Sequence, residues 1–204
     1  MSTDTIRIDW RPPAAPADPL FGSGATRTER ALALGAGAVG TAIVIGTALV
    51  TVGDRWWVIH YVLVALVALD VLGGVVANAL NSAKRDHRGP PADPSARAGR
   101  IARSPVAFSA LHVQPIVLAI AVPPHAWWWG LLWYVVVLLA VVVVVNVPQY
   151  LARPVSYAVA MLAVVSLPVV PAPEGLEWLP LALVLKLVMA HAVREEPYRP
   201  QVRA

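Results

Sequence analysis

The chain has 204 residues, 58% of them hydrophobic and only 14% charged, which leaves too little polar surface to cover a soluble core of that size. It contains no cysteine, which excludes disulfides, thiolate metal sites and cysteine nucleophiles. A formal net charge of +4 would suit a nucleic-acid partner. No basic patch is interleaved with aromatics as a stacking surface requires, so no nucleic-acid binding is expected.

Residues 1–30 are polar and proline-rich, with Trp10, Pro12, Pro13, Pro16, Asp18 and Pro19, and read as a flexible cytoplasmic arm. No apolar stretch begins near Met1, so no cleavable signal peptide is expected, and Leu20–Phe21 are placed at the membrane surface. Six apolar runs follow, over about 31–52, 57–81, 105–122, 127–147, 155–171 and 178–193. Each approaches the ~20 residues that a ~30 Å hydrocarbon core requires. Backbone groups in lipid must be satisfied within the segment, so each run is expected to be helical, the valine-rich stretch Val135–Val145 included. The expected fold is therefore an all-α polytopic bundle of about six transmembrane helices over 31–193. It is interrupted by a basic cytoplasmic loop at 82–104, broken by Pro90, Pro91 and Pro94, and ends in a cytoplasmic tail at 194–204.

Orientation follows from the cations. The arm, the second and fourth connections and the tail hold fourteen of the sixteen lysines and arginines. Arg55 stands alone on the other side and Lys186 lies within a run. Translocation disfavours basic loops, so the N and C termini are expected in the cytoplasm and the protein in the cell's inner (plasma) membrane. Trp56, Trp57, Trp127, Trp128, Trp129, Trp133 and Trp178 sit at the opposite run ends, where indole rings favour the membrane interface.

Gly35, Gly37 and Gly40 spell the dinucleotide-binding pattern but lie inside an apolar run, without the preceding strand that motif needs. Ala33, Gly37 and Thr41 instead form a small-residue face suited to close packing in lipid, against a neighbouring helix or a second copy in a homo-oligomer.

Ionisable residues inside the runs carry the functional reading. Asp70 lies about 15 Å from either end of the second run. A carboxylate at that depth costs about 2.5–3.5 kcal/mol on insertion scales, so it should face the bundle interior. Lys186, mid-way along the sixth run, is its natural counter-charge. His112 and Gln114 precede Pro115, which should kink the third helix. Asn78, His112 and His191 share the cytoplasmic half with Glu195 just beyond it. Asp70, Lys186 and His112 are the expected catalytic residues, and Asn78, Gln114, His191 and Glu195 the expected substrate-binding ones.

No pair of histidines has helical ligand spacing and no aspartate-rich diphosphate motif occurs, so neither a metal nor a cofactor is expected. The function that fits is a small membrane enzyme acting on a lipophilic, isoprenoid- or lipid-like substrate. Desolvated Asp70 would supply acid/base chemistry, as in proton-initiated cyclisation or isomerisation. The alternatives are a non-enzymatic membrane scaffold, in which the polar residues only pack helices, and a proton-coupled transporter. The expected partners are membrane lipids and the lipophilic substrate.

Overall fold

The computed structural model describes residues 6–16, 18–89 and 97–200, and every one of the six apolar runs is helical. Helix α1 (Arg27–Thr51) begins at Thr26, whose hydroxyl accepts from the Glu29 amide while the Glu29 carboxylate accepts from the Thr26 amide. This reciprocal cap satisfies two of the amides a helix start leaves orphaned. A short turn at Gly53–Arg55 leads into α2 (Val58–Ala79). The small-residue face of α1 finds its partner there: a Cβ built on Gly37 would stand 3.0 Å from the Gly73 Cα, so glycine sets the approach of the two backbones.

The segment read as a proline-broken loop carries two helices, α3 (Asn81–Arg88) and α4 (Arg97–Arg103). Pro90, Pro91 and Pro94 fall outside the described residues, as does Arg203 of the tail. The third run is divided into α5 (Pro105–Ala110) and α6 (Gln114–Ala121). Pro115 does not kink a continuous helix as expected. It sits in the first turn of α6, where its missing N–H costs nothing, and the chain breaks over 111–113 before it.

Helix α7 (Trp127–Asn146) is the most apolar of the set, and α8 (Gln149–Ser166) starts six residues earlier than its run suggested. Pro148 stands at the N-cap of that start, and Leu167 at the C-cap of its end, just before Pro168. The sixth run begins as α9 (Leu179–Leu183) and continues as a wider π-helical segment over Val184–Ala192. Two short strands, β1 (Ile6–Ile8) and β2 (Tyr198–Pro200), pair antiparallel and tie the arm to the tail.

Three helices, α1, α2 and α7, are long and apolar enough to cross a membrane. The stretches Pro105–Ala121 and Leu179–Ala192 are apolar but shorter. Helix α7 lies at the centre, packed on α5, α6, α8 and the π segment. Its buried row Trp129, Trp133, Val137, Val141 and Val144 recurs at three and four residues, the period of one helix face. Trp129 and Trp133, and also Trp56, are therefore core residues rather than members of an interfacial belt, whereas Trp57, Trp127 and Trp128 are exposed.

Candidate functional site

Helix α2 and the π segment pack together and bring Asp70 and Lys186 into contact. The Lys186 ammonium donates to Asp70 Oδ2 at 2.9 Å and to the Asp70 backbone carbonyl at 3.2 Å. Gly74 makes this reach possible. It lies one turn beyond Asp70 on the same helix face, and a Cβ there would fall on the Lys186 side chain. Gln114, in the first turn of α6, donates to the same Oδ2 at 3.3 Å. Oδ2 thus takes both donors, and Oδ1 has no hydrogen-bond partner among the described residues. The pair is asymmetric in exposure: the Lys186 side chain is 4% exposed and that of Asp70 is 52%.

Asp70 opens on a cavity of about 510 Å³, within the size range of small-molecule sites. Its walls come from α1 to α6 and the π segment, together with Pro19–Phe21 of the arm. Five of the seven residues expected to form a site share this space: Asp70, Asn78, Gln114, His112 and Lys186. Asn78 lies two turns along α2 from Asp70, about 12 Å at the rise of an α-helix. It is 7% exposed, and its amide Nδ2 has no hydrogen-bond partner among the described residues. His112 occupies the break between α5 and α6. Its Nδ1 lies 2.8 Å from the Phe108 carbonyl. A carbonyl only accepts, so Nδ1 carries the proton and Nε2 presents a lone pair.

The other two expected residues stand elsewhere. His191 is 2% exposed and does not line the cavity. Its ring stacks on Phe108 at 4.0 Å between centroids, with His87 4.9 Å away on the other contact. The structure does not bring it to the cavity with the other expected residues; Phe108, which lines the cavity, lies against it. Glu195 pairs with Lys84 at 3.4 Å and with Arg153 at 3.9 Å, outside the cavity wall. Among the described residues, no group of three or more histidines and carboxylates is placed to hold a metal ion.

Sequence reasoning missed His87, the arm and the inward face of α3. His87 lines the cavity, and burial, reinforced by the Arg88 charge, pushes its pKa down to about 4. The arm is held by Ser23, whose amide and hydroxyl both donate to Asp86 at 2.7 and 2.8 Å, and by Ser82, whose hydroxyl donates to the Phe21 carbonyl at 2.6 Å. Lys84 turns inward and donates to the carbonyls of Ala190 and Val193, while Arg88 donates to those of His191 and Ala192. These are the carbonyls that the end of the π segment leaves without partners, and cations satisfy them well. Burial lowers the pKa of Lys84, and Glu195 opposes that shift. The four-residue spacing of Lys84 and Arg88 was the available signal for a shared helix face.

No protein family, curated protein or solved structure matches the chain.

Proposed function

We propose that the protein is a multi-pass membrane enzyme that transfers protons on a lipophilic substrate, with Asp70 as the group that exchanges the proton. Six spans with cytoplasmic termini, in the inner membrane, are part of this reading. They are supported by the six helical runs and by fourteen cations falling on one side of them. The observation that carries the chemistry is the half-open carboxylate: Oδ2 is held by Lys186 and Gln114 while Oδ1 is left to the cavity. A carboxylate fixed in this way can take a proton from a bound molecule and return it, with the Lys186 ammonium balancing its charge before and after. Paired to an ammonium, Asp70 starts as a base. Isomerisation by proton removal and return therefore fits better than acid-initiated cyclisation. His112, Asn78 and Gln114 position the substrate.

The test uses cells expressing the wild type and Asp70→Asn at matched membrane levels, grown in D2O. Isomers have equal mass, so lipid extracts are compared by chromatographic retention together with deuterium content. A lipid that takes up deuterium with the wild type and not with the variant is the expected result. Identical extracts overturn the enzyme.

One observation favours a second reading. Lys186 also donates to the Asp70 backbone carbonyl, a contact that clamps the π segment to α2 without any chemistry. A scaffold would need only that clamp, and its signature is full function after the pair is replaced by apolar residues.

A further inference from the structure

The walls of the Asp70 cavity restrict the chemical class of its ligand, an inference that rests on the proposed lipid chemistry of that site. Fixed charge comes first. Asp70 and Lys186 are the only carboxylate and the only lysine or arginine lining the cavity among the described residues, and they neutralise each other at 2.9 Å. An anionic head would find no free cation, and a cationic head no free carboxylate. Desolvating either charge without a partner costs several kcal/mol. The head that enters is uncharged.

Hydrogen-bonding capacity comes second. Asn78 Nδ2 is an enclosed donor without an acceptor among the described residues, and a group in that state costs about 1–3 kcal/mol until something satisfies it. His112 Nε2 is an acceptor, its tautomer fixed by the Phe108 carbonyl. Asp70 Oδ1 and Gln114 Oε1 are further acceptors on the same lining, so the cavity offers a donor at Asn78 and an excess of acceptors. A hydroxyl group answers both, accepting with its oxygen and donating with its hydrogen. A carbonyl or an ether would leave His112 unanswered.

The remaining wall is apolar. Leu34, Leu66 and Leu69 line the cavity and are at the same time exposed on the outer faces of α1 and α2, so they extend its apolar wall to the surface. We propose that the ligand is a long-chain alcohol: an uncharged amphiphile whose hydroxyl is held between Asn78 and His112 and whose tail runs past Asp70 toward the lipid.

The experiment is native mass spectrometry of the purified full chain with four probes that share one tail: oleyl alcohol, its methyl ether, oleyl phosphate and 9-octadecene. Oleyl alcohol is expected to bind about tenfold tighter than the ether and the alkene, the discrimination one unanswered polar group produces. Asn78→Leu and His112→Phe should each reduce it to the level of the ether. Equal binding of alcohol, ether and alkene overturns the hydroxyl site, and tighter binding of oleyl phosphate overturns the uncharged head. Both of these outcomes are read on the wild type alone, so they stand even where a variant misfolds. Selective alcohol binding by a protein that exchanges no deuterium into any lipid retains the head site and removes the enzyme. Deuterium exchange without alcohol selectivity does the reverse.

Discussion

Lys84 and Lys186 are the only lysines of the chain, and both side chains are nearly enclosed, 3% and 4% exposed. Their surroundings differ in kind. Lys84 meets two backbone carbonyls at the end of the π segment, and its carboxylate partner Glu195 does not line the Asp70 cavity. Lys186 meets a carboxylate on the wall of one. A cation spent on carbonyls that a helix end must satisfy in any case has no capacity left over, and its role is architectural. A cation whose partner keeps one oxygen free leaves a reactive atom behind. Burial alone does not separate these roles; the residual valence of the partner does.

The largest expected effect breaks the Lys186 side of the comparison. Asp70→Leu leaves an enclosed ammonium without its carboxylate and should lower stability by about 3–5 kcal/mol, read as thermal unfolding of the purified protein in detergent. Adding Lys186→Met removes the stranded charge and should restore most of that loss, because a well-packed apolar pair often replaces a buried ion pair at little cost. Deuterium exchange into lipid should stay absent in the double variant. A double variant that is stable and still active would make the pair a clamp and return the protein to the scaffold class.

Lys84→Met sharpens the other side. It leaves the Ala190 and Val193 carbonyls to find water and removes one partner of Glu195, which keeps Arg153. The expected loss is about 2–3 kcal/mol, from two hydrogen bonds to a charged donor at a partly enclosed helix end. Specific activity of the fraction that remains folded should be unchanged. A fall in activity without a fall in stability would mean that Lys84 communicates with the cavity, and the division between the two lysines would fail.

The helical class was readable because the apolar runs are long, and lipid or packing leaves their backbones one way to satisfy themselves. The contact of Asp70 with Lys186 was readable for a related reason: two opposite charges in apolar runs have few other places to go. What escaped was local. Pro115 starts a helix rather than bending one, a difference of register within a single turn. The cations of α3 read as solvated because a charge run usually is; only the carbonyls at Ala190–Val193, over a hundred residues away, make Lys84 and Arg88 turn inward. His191 shared a depth with the site, yet depth along a helix does not fix direction around it, and its ring lies against Phe108. Three of the seven belt tryptophans failed likewise: Trp129 and Trp133 lie on the inner face of α7, and Trp56 is buried.

The smallest expected effect tests where the two regions meet. His87 belongs to α3, the architectural side, and lines the cavity, the chemical side. Its ring lies 4.9 Å from that of His191 and 6.5 Å from that of Phe108, and the charges acting on it are those of Arg88, Asp86, Lys84 and Arg103. Burial, with Arg88 adding to it, holds its pKa at about 4 against 6.5 in the unfolded chain. Between those values the unfolded chain binds a proton that the folded one does not, so stability falls as pH falls from about 6.5 towards 4 and is fully present above that window. Between pH 7 and 5.5 the loss amounts to about 1 kcal/mol. His87→Phe should abolish that part of the slope, because an uncharged ring in the same packing has no proton to gain. Thermal unfolding across that range decides it. A slope left unchanged by the substitution would place the responsible group elsewhere, and a slope that steepens would mean that His87 is charged in the folded protein, joining the cations of α3 instead of the uncharged wall of the cavity.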